Sequence, residues 1–164
     1  MNVLLVIGMQ GTPQVAHITR ADGAEMSPGE RAAIVEEAER DVRANWDNVC
    51  RSIVAAIHTA KEQGDPIILL EDAFNRSRLD PVVSAAVIGT AHIVVRGYHA
   101  DRSADAERAC QSFGIRPDVY YVCGALTDVN VVATVRGLRS RIGRERVKVL
   151  QGAVYPPWEG ELAG

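Results

Sequence analysis

The sequence predicts a three-layer α/β domain, in which helices flank a five-stranded, mostly parallel sheet. Five short apolar runs alternate with helical segments along the chain. Most of these runs are continuous, which is typical of strands buried on both faces of a parallel sheet. Strands that alternate with helices form right-handed βαβ units. We therefore predict one Rossmann-like domain over residues 1–164.

The apolar runs place the predicted strands at residues 3–7, 66–70, 92–95, 119–123 and 147–150. Two helices are predicted at residues 107–113 and 129–142. In the second helix, Val132, Val135 and Leu138 lie on one stripe, and Gly143 follows the helix end. Residues 153–164 are predicted to form an irregular tail.

A long helical pattern precedes the second strand. Ser27, Pro28 and Glu30 have the form of a capping box with proline at the first helical position. Apolar residues then recur every three or four positions as far as Ala60. One helix of this span would be about 54 Å long, whereas a domain of this size has a radius of gyration of about 15 Å. The helix therefore either breaks near residues 45–48 and packs on its own sheet, or it projects.

A projecting helix would expose the apolar stripe formed by Val35, Ala38, Val42 and Trp46. Large exposed apolar patches are uncommon on monomers. We therefore expect the helical extension over about residues 27–48 to form the interface of a symmetric homo-oligomer.

Composition narrows the function classes. Hydrophobic residues make up 47% of the chain and charged residues 24%, as in ordinary soluble domains. The formal net charge of −3 argues against a nucleic-acid partner. No apolar stretch reaches the roughly 18 residues of a membrane span, and no secretory signal is visible, so we expect a cytoplasmic protein without a membrane partner. The three cysteines contain no CxxC pair and are interpreted as reduced, buried thiols.

Candidate site residues follow the predicted strands, because parallel sheets bind ligands beyond the carboxyl ends of their strands. The ligand-binding candidates on this criterion are Gln10, Asp72, Arg96, Tyr98, His99, Leu126 and Asn130. Arg96 would favour a carboxylate or phosphate if it points inward, whereas Asn130 could hydrogen-bond an amide. Alternatively, the pocket has partly closed and these groups satisfy one another.

Several of these segments resemble the isochorismatase-like cysteine hydrolases, which include the nicotinamidases. LLVIGMQ at residues 4–10 resembles their LLVIDMQ opening, and VYYVCGALTDVNVVATVRG at 119–137 resembles their CG-x-x-TD-x-CV-x-x-T-x-R segment. HIVVRGYHADRS at 92–103 resembles their lysine-bearing strand and loop, and IHTAKEQGDPIILLED at 57–72 matches their first helix and second strand. The resemblance covers most of residues 2–151. We expect the strand order 3-2-1-4-5.

The family's Asp–Lys–Cys triad is missing from the corresponding positions. The resemblance places the Asp on Gly8, the nucleophilic Cys on Asn130 and the Lys within residues 95–97, where Arg96 is the only cation. Glycine has no acid or base, an amide is not a strong nucleophile, and a guanidinium stays protonated. We therefore expect no catalytic residues and predict that the family's hydrolase activity has been lost.

Other residues could in principle rebuild a site. Cys123 is more simply a core thiol, and a lone loop histidine such as His99 is more often solvated. Glu71 and Asp72 point to opposite faces of their strand, so at most one enters the pocket. The nicotinamidases bind metal through an Asp and two His after the second strand, but EDAFNRSRLD contains no histidine. We expect no metal and no cofactor.

Two function classes remain open. The favoured class is a small-molecule-binding or assembly protein without hydrolase activity, with a small carboxylate or amide as its ligand. The alternative is an active enzyme of the family, of the amidase or isochorismatase type, with a rebuilt site. The resemblance also implies a non-proline cis peptide between Ala125 and Leu126, and Thr127 or Asp128 is expected to cap the helix that follows.

Overall fold

The structure is a computed structural model, and it describes residues 1–11, 13 and 26–157. Five strands form one sheet in the order β3-β2-β1-β4-β5, and every neighbouring pair is parallel. The strands are β1 (Val3–Ile7), β2 (Ile67–Asp72), β3 (His92–Gly97), β4 (Tyr120–Ala125) and β5 (Val147–Tyr155). The predicted fold class and strand order are confirmed.

Helices cover both faces of this sheet. They are α1 (Pro28–Gln63), α2 (Pro81–Val87), α3 (Ser103–Ser112) and α4 (Val132–Ile142), with a π-helical turn at Thr127–Val131 and a 3₁₀ turn at Arg144–Arg146. Leu4 and Val6 pack with residues of α1 and α2, whereas Leu5 and Ile7 pack with residues of α3 and α4. All five residues of β1 are buried, which is why this strand reads as a continuous apolar run.

Helix α1 runs unbroken over 36 residues, so of the two alternatives drawn from the sequence the break near residues 45–48 is excluded. The capping box is present, because the Glu30 N–H donates to the Ser27 side chain and the Ser27 N–H donates to the Glu30 carboxylate. Burial in α1 begins at Trp46 and continues to Ala60. Before Trp46 the helix is exposed or half-buried, and Ile34 keeps 39% of its surface accessible. In the described part of the chain, no helix is both long and apolar enough to cross a membrane.

Trp46 belongs to the core rather than to the exposed stripe of α1. Only 4% of its surface is accessible. Its indole Nε1–H donates to the Asp80 carboxylate at 2.9 Å, and its ring meets that of Tyr155 edge to face, with centroids 5.5 Å apart. Trp46 therefore cannot serve as an interface residue of the projecting segment. The exposed stripe is reduced to Val35, Ala38 and Val42.

Helix α2 was not predicted from the sequence, α3 begins at Ser103 rather than at residue 107, and β5 is longer than predicted. Helix α2 begins where Asp80 accepts from the N–H groups of Val82 and Val83, and Pro81 occupies its first position. This Asp-Pro pair is the local signal that could have predicted α2. Strand β5 continues to Tyr155 because Ala153 and Val154 are buried, so the predicted irregular tail begins too early. Residues 158–164 of that tail lie outside the described residues.

Candidate functional site

A small cavity of about 210 Å³ lies at the carboxyl ends of the central strands. This is the edge at which parallel sheets bind ligands. Five residues identified from the sequence line it together, namely Gly8, Gln10, Asp72, Leu126 and Asn130. Trp46 and Asn75 also line it. We refer to this cavity as the central pocket.

Gly8 leaves no room for a side chain in the central pocket. Its φ is +60°, in the left-handed region that favours glycine. A Cβ built on Gly8 would lie well inside van der Waals contact of the Ala125 carbonyl oxygen. The Gly8 N–H is also fixed, because it donates to the Leu70 carbonyl at 2.9 Å. The position that corresponds to the family's Asp is therefore closed by the backbone of β4.

Asn130 contributes an amide beside Gly8. Its Nδ2 lies 3.7 Å from the position that a Cβ on Gly8 would occupy. Its backbone N–H donates to the Leu126 carbonyl at 2.9 Å. Across the residues that the structure describes, the Asn130 carboxamide has no hydrogen-bond partner. It is therefore free to donate to and accept from a bound molecule.

The segment before Asn130 has the unusual backbone that the resemblance implied. The Ala125–Leu126 peptide bond is cis, which confirms that expectation. The expected side-chain cap is wrong, because no side chain caps the turn that begins at Thr127. The Thr127 hydroxyl instead donates to the Pro156 carbonyl at 2.6 Å. The carbonyl of Leu126 accepts from the N–H groups at the start of the turn, so those donors are used internally.

Gln10 is used to hold a loop. Its Nε2 donates to the carbonyls of Asp72, Asn75 and Ser77, at 3.3, 3.1 and 3.3 Å. Its Oε1 accepts from the Asp72 N–H at 2.6 Å. Because these bonds occupy the amide, Gln10 shapes the central pocket rather than offering free groups to a ligand.

Asp72 brings the negative charge of the central pocket. One carboxylate oxygen accepts from the Phe74 N–H at 2.8 Å. The other has no partner within the described ranges. Among the described residues that line this pocket, none is a lysine or arginine. Within the residues that the structure describes, no three His, Cys, Asp or Glu side chains are grouped so that they could hold a metal ion.

The remaining three candidates, on or after β3, do not line the central pocket. Arg96 is 74% exposed, and its Nε donates to Glu71 at 2.9 Å. Tyr98 is 66% exposed and meets the ring of Phe74 edge to face, with centroids 5.0 Å apart. His99 is exposed. Strand β3 is at the sheet edge, and β2 separates it from β1, so its end lies to one side of the Gly8–Asn130 pair.

The cysteines lie in the core. All three are free and buried, which confirms their interpretation from the sequence. Cys123 is fully buried, and its thiol contacts the Leu5 carbonyl at 3.4 Å. Burial raises the pKa of the Cys123 thiol to about 12. The thiol therefore stays protonated at neutral pH, as expected for a core cysteine rather than a reactive one.

Arg102 is the positioning residue that sequence reasoning missed. It is 3% exposed, and its guanidinium donates to the Glu71 and Val95 carbonyls at 2.6 and 3.1 Å and to the Asp105 carboxylate at 2.6 Å. Gly97 makes room for it, because a Cβ there would lie 2.7 Å from the guanidinium. Arg102 thus ties the ends of β2 and β3 to the start of α3. The one local signal is Asp105, three residues after Arg102.

The fold and pocket define a class of α/β protein whose ligand site lies at the carboxyl ends of its central parallel strands. No protein-family model matches the sequence, and no curated protein is similar to it. Solved structures do match. An isochorismatase from Pseudomonas putida KT2440 aligns with a TM-score of 0.64 and 15% identity, over 93% of this chain and 70% of that chain. The N-carbamoylsarcosine amidase of Thermoplasma acidophilum aligns with a TM-score of 0.62 and 14% identity, over 94% of this chain and 84% of that chain.

The MAR1 ribonuclease of Caenorhabditis elegans also aligns, with a TM-score of 0.63 and 14% identity over 93% of this chain. This chain spans 64% of that ribonuclease's length. The chain therefore has the isochorismatase-like hydrolase fold. At such low identities the likeness establishes the fold and leaves the chemistry to be argued from the site.

Proposed function

We propose that this protein keeps the isochorismatase-like fold without the hydrolase activity, and that it binds a small neutral amide in the central pocket. The observation that carries this proposal is the overlap that a Cβ at position 8 would make with the Ala125 carbonyl oxygen. An acid cannot occupy position 8 unless the end of β4 moves. Asn130 adds an amide where the reaction needs a thiolate, and Arg96 lies outside the pocket. The three triad positions together support binding without turnover.

The chemistry of the central pocket selects the ligand class. The open Asn130 carboxamide can pair with the N–H and C=O groups of another amide. The Asp72 carboxylate accepts N–H groups and disfavours an anion, and the lining residues that the structure describes include no cation to offset it. The volume of about 210 Å³ is below the usual range for drug-sized ligands, so the molecule is small. Of the two ligand types expected from the sequence, the amide is favoured here over the carboxylate.

Nicotinamide and nicotinate form a matched pair of probes for this proposal, because they differ in an amide against a carboxylate. We expect nicotinamide, but not nicotinate, to shift the backbone amide NMR signals of Gly8 and Asn130. Asn130→Leu should abolish these shifts because it keeps the approximate volume and removes the hydrogen bonds. Gln111→Leu, which removes an exposed amide on α3, should leave binding unchanged.

The same samples test for catalysis. We expect no release of ammonia from nicotinamide and no hydrolysis of isochorismate above the buffer rate. A thiol reagent should not label the folded protein at Cys123, because that thiol is buried and protonated. Turnover that disappears in Asn130→Leu or Cys123→Ala would contradict the proposal and establish the alternative, an enzyme with a rebuilt site.

We further propose that the first part of α1 mediates symmetric self-association. Val35, Ala38 and Val42 form a half-buried stripe on a segment whose other side chains are mostly exposed. Ile34 lies beside this stripe, and 39% of its surface is accessible. Packing of this stripe against the same stripe of a second copy would remove the apolar area of both from water.

The double variant Val35→Asp/Val42→Asp should shift the mass measured by light scattering from oligomer to monomer, because it places charges in the apolar interface. Ala33→Asp/Ala44→Asp is the matched control. These exposed alanines are each two positions from the stripe residues, so they face the opposite side of the helix. The control should retain the oligomer mass. A wild-type chain that is monomeric at the same concentration would refute this proposal.

A further inference from the structure

A second cavity, which we call the arginine cleft, lies beside the central pocket and has a volume of about 750 Å³. Arg76, Arg78 and Arg96 line it, and Glu71 and Ser84 contribute further polar groups. We propose that the arginine cleft binds a small multivalent oxyanion, a polycarboxylate or a phosphorylated molecule. This site is distinct from the central pocket and does not depend on the amide ligand proposed there.

The charges of the cleft are unbalanced. Glu71 is the one carboxylate among the described lining residues. Its side chain is only 11% exposed and already accepts from Arg96 Nε. Arg76 and Arg78 are exposed, and their guanidinium groups form no hydrogen bond or ion pair with any residue that the structure describes. Three guanidinium groups against one carboxylate leave a local positive excess, although the whole chain carries a formal net charge of −3. An anionic ligand would supply the missing counter-charge.

The backbone that carries Arg76 and Arg78 is held in place. The Gly11 N–H donates to the Arg78 carbonyl at 3.0 Å, and the Ser77 N–H donates to the Asn75 side chain at 2.9 Å. The Gln10 amide bonds to carbonyls on both sides of Arg76, those of Asn75 and Ser77. The two arginines therefore project from a fixed loop, which reduces the ordering cost of binding.

Guanidinium chemistry identifies the ligand class. Its planar N–H donors match the paired oxygens of carboxylates and phosphates, and the group stays charged at any physiological pH. With the residues that the structure describes, Arg96 bonds through its Nε alone, so its terminal nitrogens remain available beside Arg76 and Arg78. Ligands with several anionic groups can pair with more of these arginines than a monovalent anion can.

Isothermal titration calorimetry of the full chain with citrate and with pyrophosphate, in about 0.15 M chloride, tests the proposal. We expect saturable binding of at least one of the two probes. Tighter binding of citrate would indicate a polycarboxylate ligand, and tighter binding of pyrophosphate would indicate a phosphorylated one. Arg76→Gln/Arg78→Gln should weaken binding about tenfold or more, because charge-assisted hydrogen bonds are lost. Arg116→Gln/Arg136→Gln removes two exposed arginines elsewhere with the same change of charge, and it should keep the dissociation constant within about twofold.

Three results would overturn the proposal. One is the absence of heat from both probes at millimolar concentration. Another is equal weakening by both double variants, since that indicates non-specific attraction to overall charge. The third is binding of a short RNA oligonucleotide but of neither small anion. Circular dichroism of each variant confirms that lost binding does not reflect lost folding.

Discussion

Replacing Gly8 with Asp lowers the free energy of unfolding by about 3 kcal/mol or more, although it restores the acidic residue of the hydrolase triad. Two costs combine at this position. The φ of +60° is strained for any residue with a Cβ, and that Cβ would overlap the Ala125 carbonyl oxygen. Urea denaturation followed by circular dichroism measures the loss.

Gly89→Asp is the matched control for this loss. Gly89 has a φ of +74°, but a Cβ there would meet no atom within 4 Å. We expect this variant to lose only the cost of the left-handed backbone, about 1–2 kcal/mol. The difference between the two variants then measures the overlap with β4. Equal losses would contradict the claim that the Ala125 carbonyl closes position 8.

The combined variant Gly8→Asp/Arg96→Lys/Asn130→Cys should likewise show no hydrolysis of nicotinamide above the buffer rate. It restores all three residue types of the triad, but the acid has no space and position 96 lies outside the central pocket. Catalysis of this kind depends on the mutual geometry of nucleophile and acid, rather than on their presence in the sequence. Recovered turnover would mean that the pocket relaxes around the new side chains.

The centre of the sheet was predictable because β1, β2 and β4 are buried on both faces. β1 carries no polar residue between Val3 and Ile7, and the neighbouring strand β2 is apolar as far as Leu70. The unbroken course of α1 was not predictable in the same way. The length argument left a broken helix and a projecting helix as alternatives, and the spacing of the apolar residues could not decide between them. In the structure, the residues of α1 before Trp46 are largely exposed.

The candidate site was predictable only where strand order alone determines proximity. Gly8 follows β1 and Asn130 follows β4, and these strands are neighbours. Arg96 also lies at a strand end, but β3 is at the sheet edge, and the ion pair with Glu71 holds the side chain in the arginine cleft. The sequence does not encode that pairing in any local spacing, because residues 71 and 96 belong to different strands.

The buried position of Arg102 in the core could not be predicted from the sequence either. In the sequence it resembles any surface arginine, since its principal acceptors are backbone carbonyls of two distant strands. Every chain segment has carbonyl groups, so no residue pattern marks these acceptors. Only the arrangement of β2, β3 and α3 shows that the guanidinium is enclosed.

Arg102→Met should therefore lower the free energy of unfolding by about 3 kcal/mol or more. The methionine fills part of the space but leaves the Glu71 and Val95 carbonyls without their donors, and it leaves Asp105 without its buried partner. Hydrogen exchange should become faster at the β2–β3 edge first, because Arg102 joins the ends of those two strands.

Arg108→Met provides the matched control, because Arg108 pairs with the same carboxylate at 3.1 Å but is 71% exposed. Solvent screens that ion pair, so we expect a loss below about 1 kcal/mol and unchanged exchange in β3. Equal effects of the two substitutions would show that the charge on Asp105 matters more than the buried carbonyl contacts. Because Arg102 binds the Glu71 carbonyl and the Glu71 carboxylate holds Arg96, Arg102→Met should also weaken anion binding in the arginine cleft, whereas Arg108→Met should not.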